Sequence, residues 1–152
     1  MPSQLVVAIL GPTASGKSAL ALSLAGAMNG EIDFAGALTE RVGLLKGLPT
    51  AKLDEAAGRI RYMPGGATLV ATMKRHGASC ALVSGGFTYF TAMVRERLRF
   101  DSDAANRLAV SGGTLAGTVE PPILGKEAKL ATLRKLAGER GIDVADAIAV
   151  GD

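Results

Sequence analysis

Apolar and polar positions along this chain follow two rhythms. Leu5-Val6-Val7-Ala8-Ile9-Leu10 is an unbroken apolar run with β-branched members, the pattern of a strand covered on both faces. Ser79-Cys80-Ala81-Leu82-Val83 and Ala147-Ile148-Ala149-Val150 repeat it. Elsewhere the spacing is helical. Residues 16–28 are good helix formers, stopped at Asn29-Gly30. Asp33 predicts the N-cap of a helix to about residue 46, with Phe34, Leu38, Val42 and Leu45 on one face. Gly47-Leu48-Pro49 breaks it. Further helices are predicted over residues 50–60, 67–75 and 88–98, with breaks at Pro64-Gly65-Gly66 and His76-Gly77. Residues 106–110 and 114–120 flank Ser111-Gly112-Gly113 and read as a β-hairpin ended by Pro121-Pro122. Residues 126–140, with Leu130, Leu133 and Leu136, predict a last helix stopped by Gly141.

Buried strands alternating with helices predict an α/β fold. The expected architecture is a three-layer, Rossmann-like parallel sheet with helices on both faces, a small helical cap and a β-hairpin. Residues 1–32 form a strand–loop–helix unit, residues 33–62 the cap segment, and residues 63–152 the rest of the core. Such sheets place their chemistry at the carboxyl ends of the strands. Three segments fall there: residues 11–18, 84–86 and 151–152.

Composition narrows the partners. The 152 residues suit one domain, 48% apolar and 20% charged. Seventeen basic against fourteen acidic side chains leave a net charge of +3, too small to demand a nucleic-acid partner. Two tyrosines, four phenylalanines and no tryptophan make a poor stacking platform for single strands. The longest apolar stretch, residues 19–28, is too short for a bilayer. The apolar N-terminus has no basic flank, and Lys17 interrupts it, so no membrane association and a cytoplasmic location are expected. The lone Cys80 allows no disulfide within the chain and reads as a packed, reduced thiol. The lone His76 allows no Cys/His zinc site. Arg95, Arg97 and Arg99 read as a solvated face.

Two groups of residues could carry chemistry. Gly11-Pro12-Thr13-Ala14-Ser15-Gly16-Lys17-Ser18 fits the phosphate-loop pattern throughout. Backbone N–H groups from Gly11, Thr13, Ala14, Ser15 and Gly16 can turn around an anion, and the next helix points its positive end there. Lys17 offers a charge to the outer phosphates, and Ser18 a ligand to magnesium. ATP or another phosphate compound is the ligand such a loop takes. The second group is Ser84, Lys129 and Asp152. A hydroxyl and an ammonium hold phosphate oxygens there, and a carboxylate holds Mg2+. From spacing alone these three are equally a turn serine, a solvated lysine and a terminal acid.

Residues 5–32, through Gly11-Pro12-Thr13-Ala14-Ser15-Gly16-Lys17-Ser18-Ala19-Leu20-Ala21 and Asn29-Gly30-Glu31-Ile32, resemble the opening of bacterial tRNA dimethylallyltransferases. That resemblance implies a loop binding the diphosphate of a prenyl donor, with Thr13 near it. Where that family continues with Ser-Ala-Asp-Ser, this chain has Asp33-Phe34-Ala35-Gly36.

A second resemblance covers residues 27–152. Met28-Asn29-Gly30-Glu31-Ile32-Asp33-Phe34, Arg41-Val42-Gly43-Leu44-Leu45-Lys46-Gly47-Leu48-Pro49, Leu82-Val83-Ser84-Gly85-Gly86-Phe87, Ala105-Asn106-Arg107-Leu108 and Ala149-Val150-Gly151-Asp152 are similar to the phosphoserine phosphatases of the haloacid dehalogenase superfamily. The resemblance implies that Ser84 and Gly85 bind the transferring phosphate, that Lys129 neutralises its charge, and that Asp152 is a magnesium ligand. It places Phe34 and Arg41 in the cap, with Arg41 meeting the substrate carboxylate of a small phosphorylated molecule. That family opens on a strand ending in Asp-x-Asp-Ser-Thr, its nucleophile and its acid/base. Here the first strand runs into Gly11-Pro12-Thr13, and Glu31 is the first acidic residue. The family's last motif also runs past Gly-Asp to a second metal-binding aspartate.

The chain therefore reads as a join at Asn29-Gly30-Glu31-Ile32. The expectation is a phosphate-binding domain with little or no phosphomonoester hydrolysis. The alternative is a nucleotide-binding module in which Asp152 completes a magnesium site with Ser18. An unpaired outer edge on the last strand would further invite homo-oligomerisation.

Overall fold

The three apolar runs are strands, and they lie together in one sheet. The structure, a computed structural model, describes residues 5–9 and 34–150. In chain order these form β1 (Leu5–Ile9), α1 (Phe34–Gly43), α2 (Ala51–Ala57), α3 (Gly66–Arg75), β2 (Ser79–Phe87), α4 (Thr88–Leu98), β3 (Ser102–Ser111), β4 (Thr114–Glu120), α5 (Lys126–Glu139), a 3-10 turn (Val144–Asp146) and β5 (Ala147–Val150). The sheet order is β4-β3-β2-β1-β5, with β4 alone antiparallel to its neighbour. Ile9 pairs with Val83, and Ala8 with Val150. The carboxyl ends of β2, β1 and β5 therefore stand side by side.

Alternation along β2 sends its side chains into two cores. Cys80 and Leu82 pack with Val70 of α3, Val94 of α4 and Phe100. Val83 packs on the opposite face with Ala137 of α5, joined by Leu133, Leu136 and Ile142. A third cluster seats α1 and α2 on the hairpin, through Leu38, Val42 and Leu53 against Leu108 and Leu115. Helices thus cover both faces, as the buried runs require. Among the described residues no helix is long and apolar enough to cross a membrane.

The structure departs from the sequence expectations in three places. β3 is both a hairpin arm and a parallel neighbour of β2, and it starts at Ser102 rather than Asn106. Its polar opening hid it: Asp103 accepts a hydrogen bond from Thr91 Oγ1 at 2.7 Å and pairs with Arg95 at 3.0 Å. The helix predicted to residue 46 ends at Gly43. Leu44, Leu45 and Lys46 donate to Arg41, Val42 and Gly43, a tightened three-residue repeat, before Gly47 N–H reaches the Leu115 carbonyl of β4. The helix predicted over residues 50–60 is shorter, Ala51–Ala57. Arg95, Arg97 and Arg99, read as a solvated face, are all exposed, and two of them make surface contacts. Besides the Arg95 pair, the Arg97 guanidinium lies 4.9 Å over the Tyr62 ring.

Asp101 joins three elements. Its Oδ2 accepts the Cys80 N–H at 2.8 Å, and its Oδ1 takes the Lys74 ammonium at 2.6 Å. Partial burial pushes this carboxyl's pKa up. The Lys74 and Cys80 hydrogen bonds and the Lys74 and Arg140 charges outweigh that, so the net direction is down. A carboxyl more acidic folded than unfolded contributes stability that is complete above about pH 4 and is lost as pH falls through the folded value. Asp101→Asn should therefore cost about 1 kcal/mol at neutral pH, allowing for solvent screening. Urea melts over a pH series should show its gap to wild type closing in acid; a constant gap would show that charge plays no part. Beside it, burial and then the Asp101 charge raise the Cys80 thiol pKa, with Lys74 opposing, as suits a packed and unreactive thiol.

Candidate functional site

The site begins where β2 leaves regular pairing. Val83 is opposite Ala104 and Phe87 opposite Asn106, so Ser84, Gly85 and Gly86 face Ala105 alone. The predicted Ser84–Gly86 turn is thus a bulge inside a longer strand. Ser84 is buried, and its Oγ accepts the Gly86 N–H at 3.0 Å. A side chain on Gly86 would start 3.1 Å from that Oγ.

Phe34, the first residue of α1, meets this bulge. A Cβ on Gly85 would stand 3.3 Å from Phe34 Cζ, and one on Gly125 would stand 3.1 Å from Phe34 Cδ1. The ring therefore rests across two bare backbones, one from β2 and one from the turn that starts α5. It remains 49% exposed, which leaves one side open to a ligand.

Lys129 is one helical turn beyond Gly125 and is half-buried. It shares a stripe of α5 with Leu133 and Ala137, the face that packs on the sheet. Its turn is at the N-terminal end of α5, the same end as Gly125. Arg41 lies two turns along α1 from Phe34, on the same face. Its Nε is buried with no hydrogen-bond partner among the described residues. A buried guanidinium N–H calls for an acceptor such as a carboxylate.

Phe34 and Gly85 are thus in contact, Ser84 adjoins them, and Lys129 stands one turn from Gly125. Gly11, Thr13, Ala14, Ser15, Gly16, Lys17, Ser18 and Asp152 lie outside the described residues. The strands leading to them, β1 and β5, end beside β2. Among the described residues no three His, Cys, Asp or Glu side chains gather around a point.

Sequence reasoning gave Asn106 no role. It is 1% exposed, and its amide donates to the Gly85 carbonyl at 2.9 Å and the Leu124 carbonyl at 3.2 Å, while Oδ1 accepts the Leu124 N–H at 2.7 Å. The available signal was an asparagine between apolar positions of one strand, where an unbonded amide would be costly.

A parallel sheet with a serine–glycine bulge at its carboxyl edge and a lysine at the head of the facing helix defines a class. The sequence profile of the haloacid dehalogenase-like hydrolases matches residues 10–152, and the chain belongs to that family. Within it, the chain is 37% identical to a phosphoserine phosphatase of Lactococcus lactis over 147 residues, 97% of this chain and 68% of that protein. It is 36% identical over 147 residues to one of Mycobacterium tuberculosis, of which it spans 36%. A solved phospho-aspartyl intermediate analogue of phosphoserine phosphatase superposes with a TM-score of 0.86 at 32% identity, covering 100% of this chain and 79% of that one. The chain spans about a third of the first curated relatives it matches. The family match takes in residues 11–32, and these comparisons give no support to the tRNA dimethylallyltransferase resemblance or to ATP as ligand.

Proposed function

We propose that this chain is a phosphoserine-phosphatase-like phosphate-binding domain with little or no hydrolysis of its own. The observation that carries the reading is the Phe34 ring laid across Gly85 and Gly125 beside buried Ser84. The similarity to proteins named phosphoserine phosphatases supports a small phosphorylated amino acid as ligand. In this reading Ser84 and Gly85 hold the phosphate, Lys129 neutralises it, Arg41 accepts the ligand carboxylate, and Phe34 lines the apolar side. Magnesium would shield the phosphate charge, with Asp152 and Ser18 as its ligands in this proposal. No step is derived through it.

Turnover is a separate matter. Attack on phosphorus needs a carboxylate facing Ser84, and β1 is the strand placed to supply it. Residues 1–30 contain no aspartate or glutamate. Calorimetry should show phosphoserine binding that weakens about tenfold or more in Lys129→Ala, the loss of a charge-assisted hydrogen bond. Ser84→Ala should weaken it several-fold. Phosphate release with magnesium should stay at background. Robust release, abolished by either substitution, would overturn the inactivity.

A second reading rests on β1 itself, a strand paired on both sides that runs directly into a complete phosphate-loop pattern. ATP as a second ligand in the same titration, with Lys17→Ala, separates the two; equal ATP affinity in both proteins sinks nucleotide binding. A cytoplasmic location and homo-oligomerisation through β5 belong to the same proposal. β5 is the last described strand on its side of the sheet, with Ile148 and Val150 exposed.

A further inference from the structure

We propose that Asn106 is the positioning residue of the phosphate cradle, fastening the Ser84–Gly86 bulge to the turn that launches α5. The inference rests on the phosphate-binding reading above, and it names what sets that site's geometry.

A bulge breaks the β2–β3 ladder and leaves carbonyls in need of donors. Asn106 Nδ2 takes the Gly85 carbonyl, and its second N–H takes the Leu124 carbonyl. Oδ1 takes the Leu124 N–H. One side chain thus grips both backbones that the Phe34 ring rests across: Gly85 directly, and Gly125 through its neighbour Leu124. The same turn sets where α5 begins, and so where Lys129 stands one turn later.

Only glutamine carries the same donors and acceptor, and it is one methylene longer. The grip needs two donors and one acceptor from a short planar group. An ionised aspartate keeps the acceptor but turns a charge toward two carbonyl oxygens. Leucine of similar shape offers nothing, and both backbones then stay buried without partners. Asn106 does not touch the ligand. It acts by fixing the bulge that carries Ser84 against the turn that precedes Lys129, and binding depends steeply on such placement.

The test uses the full chain, with phosphoserine and inorganic phosphate as probes. Asn106→Ala should weaken phosphoserine binding about tenfold. Its effect should shrink in a Lys129→Ala background, where only the displacement of Ser84 and Gly85 remains to be felt. Effects that simply multiply, or affinity within twofold of wild type, would overturn the proposal. Amide spectra give an independent readout. Asn106→Asp, which keeps the shape should Asn106→Ala not fold, loses the two donor bonds and should shift the Gly85 and Gly125 signals, while Val94 stays protected. Unshifted Gly85 and Gly125 signals would also overturn it. A wild type that binds neither probe would refute the phosphate-binding reading instead, and the amide signals would still decide whether Asn106 joins the two backbones.

Discussion

Leu82→Ala should lower the unfolding free energy by about 2–5 kcal/mol, the range for emptying a close-packed leucine site. Leu82 is fully buried at the middle of β2, against Val70 of α3, Val94 of α4 and Phe100. Its neighbours come from both helices on that face, and side-chain bonds tie both helices to the start of β3. Lys74 bonds Asp101, and Thr91 and Arg95 bond Asp103. The site therefore cannot collapse easily around a smaller residue, which favours the upper part of the range. Urea melts of the two proteins measure it through a lower midpoint at unchanged slope. A loss under about 1 kcal/mol would mean that this face is loosely packed. The effect should also reach the site, since Ser84 follows Leu82 by two residues on the same strand.

Gly117→Val should be nearly as costly, for a different reason. Gly117 is buried with φ +79, a region side chains rarely enter. Its missing Cβ would stand 2.7 Å from Lys46 Cβ and 3.2 Å from Lys46 Cα. The substitution thus pays left-handed strain of about 1–3 kcal/mol. It also pays overpacking of about 1–3 kcal/mol where the segment after α1 crosses β4. Gly113→Ala separates the two contributions. Gly113 also has positive φ, +77, but nothing lies within 4 Å of its missing Cβ. It should cost only the conformational part. Thermal melts that show the two variants equally destabilised would remove Lys46 from the explanation. Because the same segment leads back through α1 to Phe34, Gly117→Val should also loosen the ring over Gly85.

Much of the fold could be read along the chain. The apolar runs at residues 5–10, 79–83 and 147–150 are strands, and the glycine pair at residues 112 and 113 closes the hairpin between β3 and β4. Motif resemblance singles out Ser84, Gly85, Phe34, Arg41 and Lys129, and the structure puts Phe34 against Gly85. The start of β3 escaped notice because Ser102 and Asp103 look like a loop. Only their bonds to α4 and their pairing with β2 make them strand. Asn106 escaped for the same reason, since a polar residue in a strand reads as solvent-facing until its partners are found.

Periodicity records which face of an element avoids water, because helix and strand geometry each repeat side chains on one face at a fixed spacing. It thereby settles strands, helices and turns, and the carboxyl edge where they must end. It does not record which distant backbone a buried side chain will meet. Phe34 and Gly85 are fifty-one positions apart, and Asn106 reaches both back to Gly85 and forward to Leu124. Such contacts follow from the sheet order and the bulge in β2. They arise when the chain closes on itself, because only then do Phe34 and Asn106 meet the backbone of the β2 bulge.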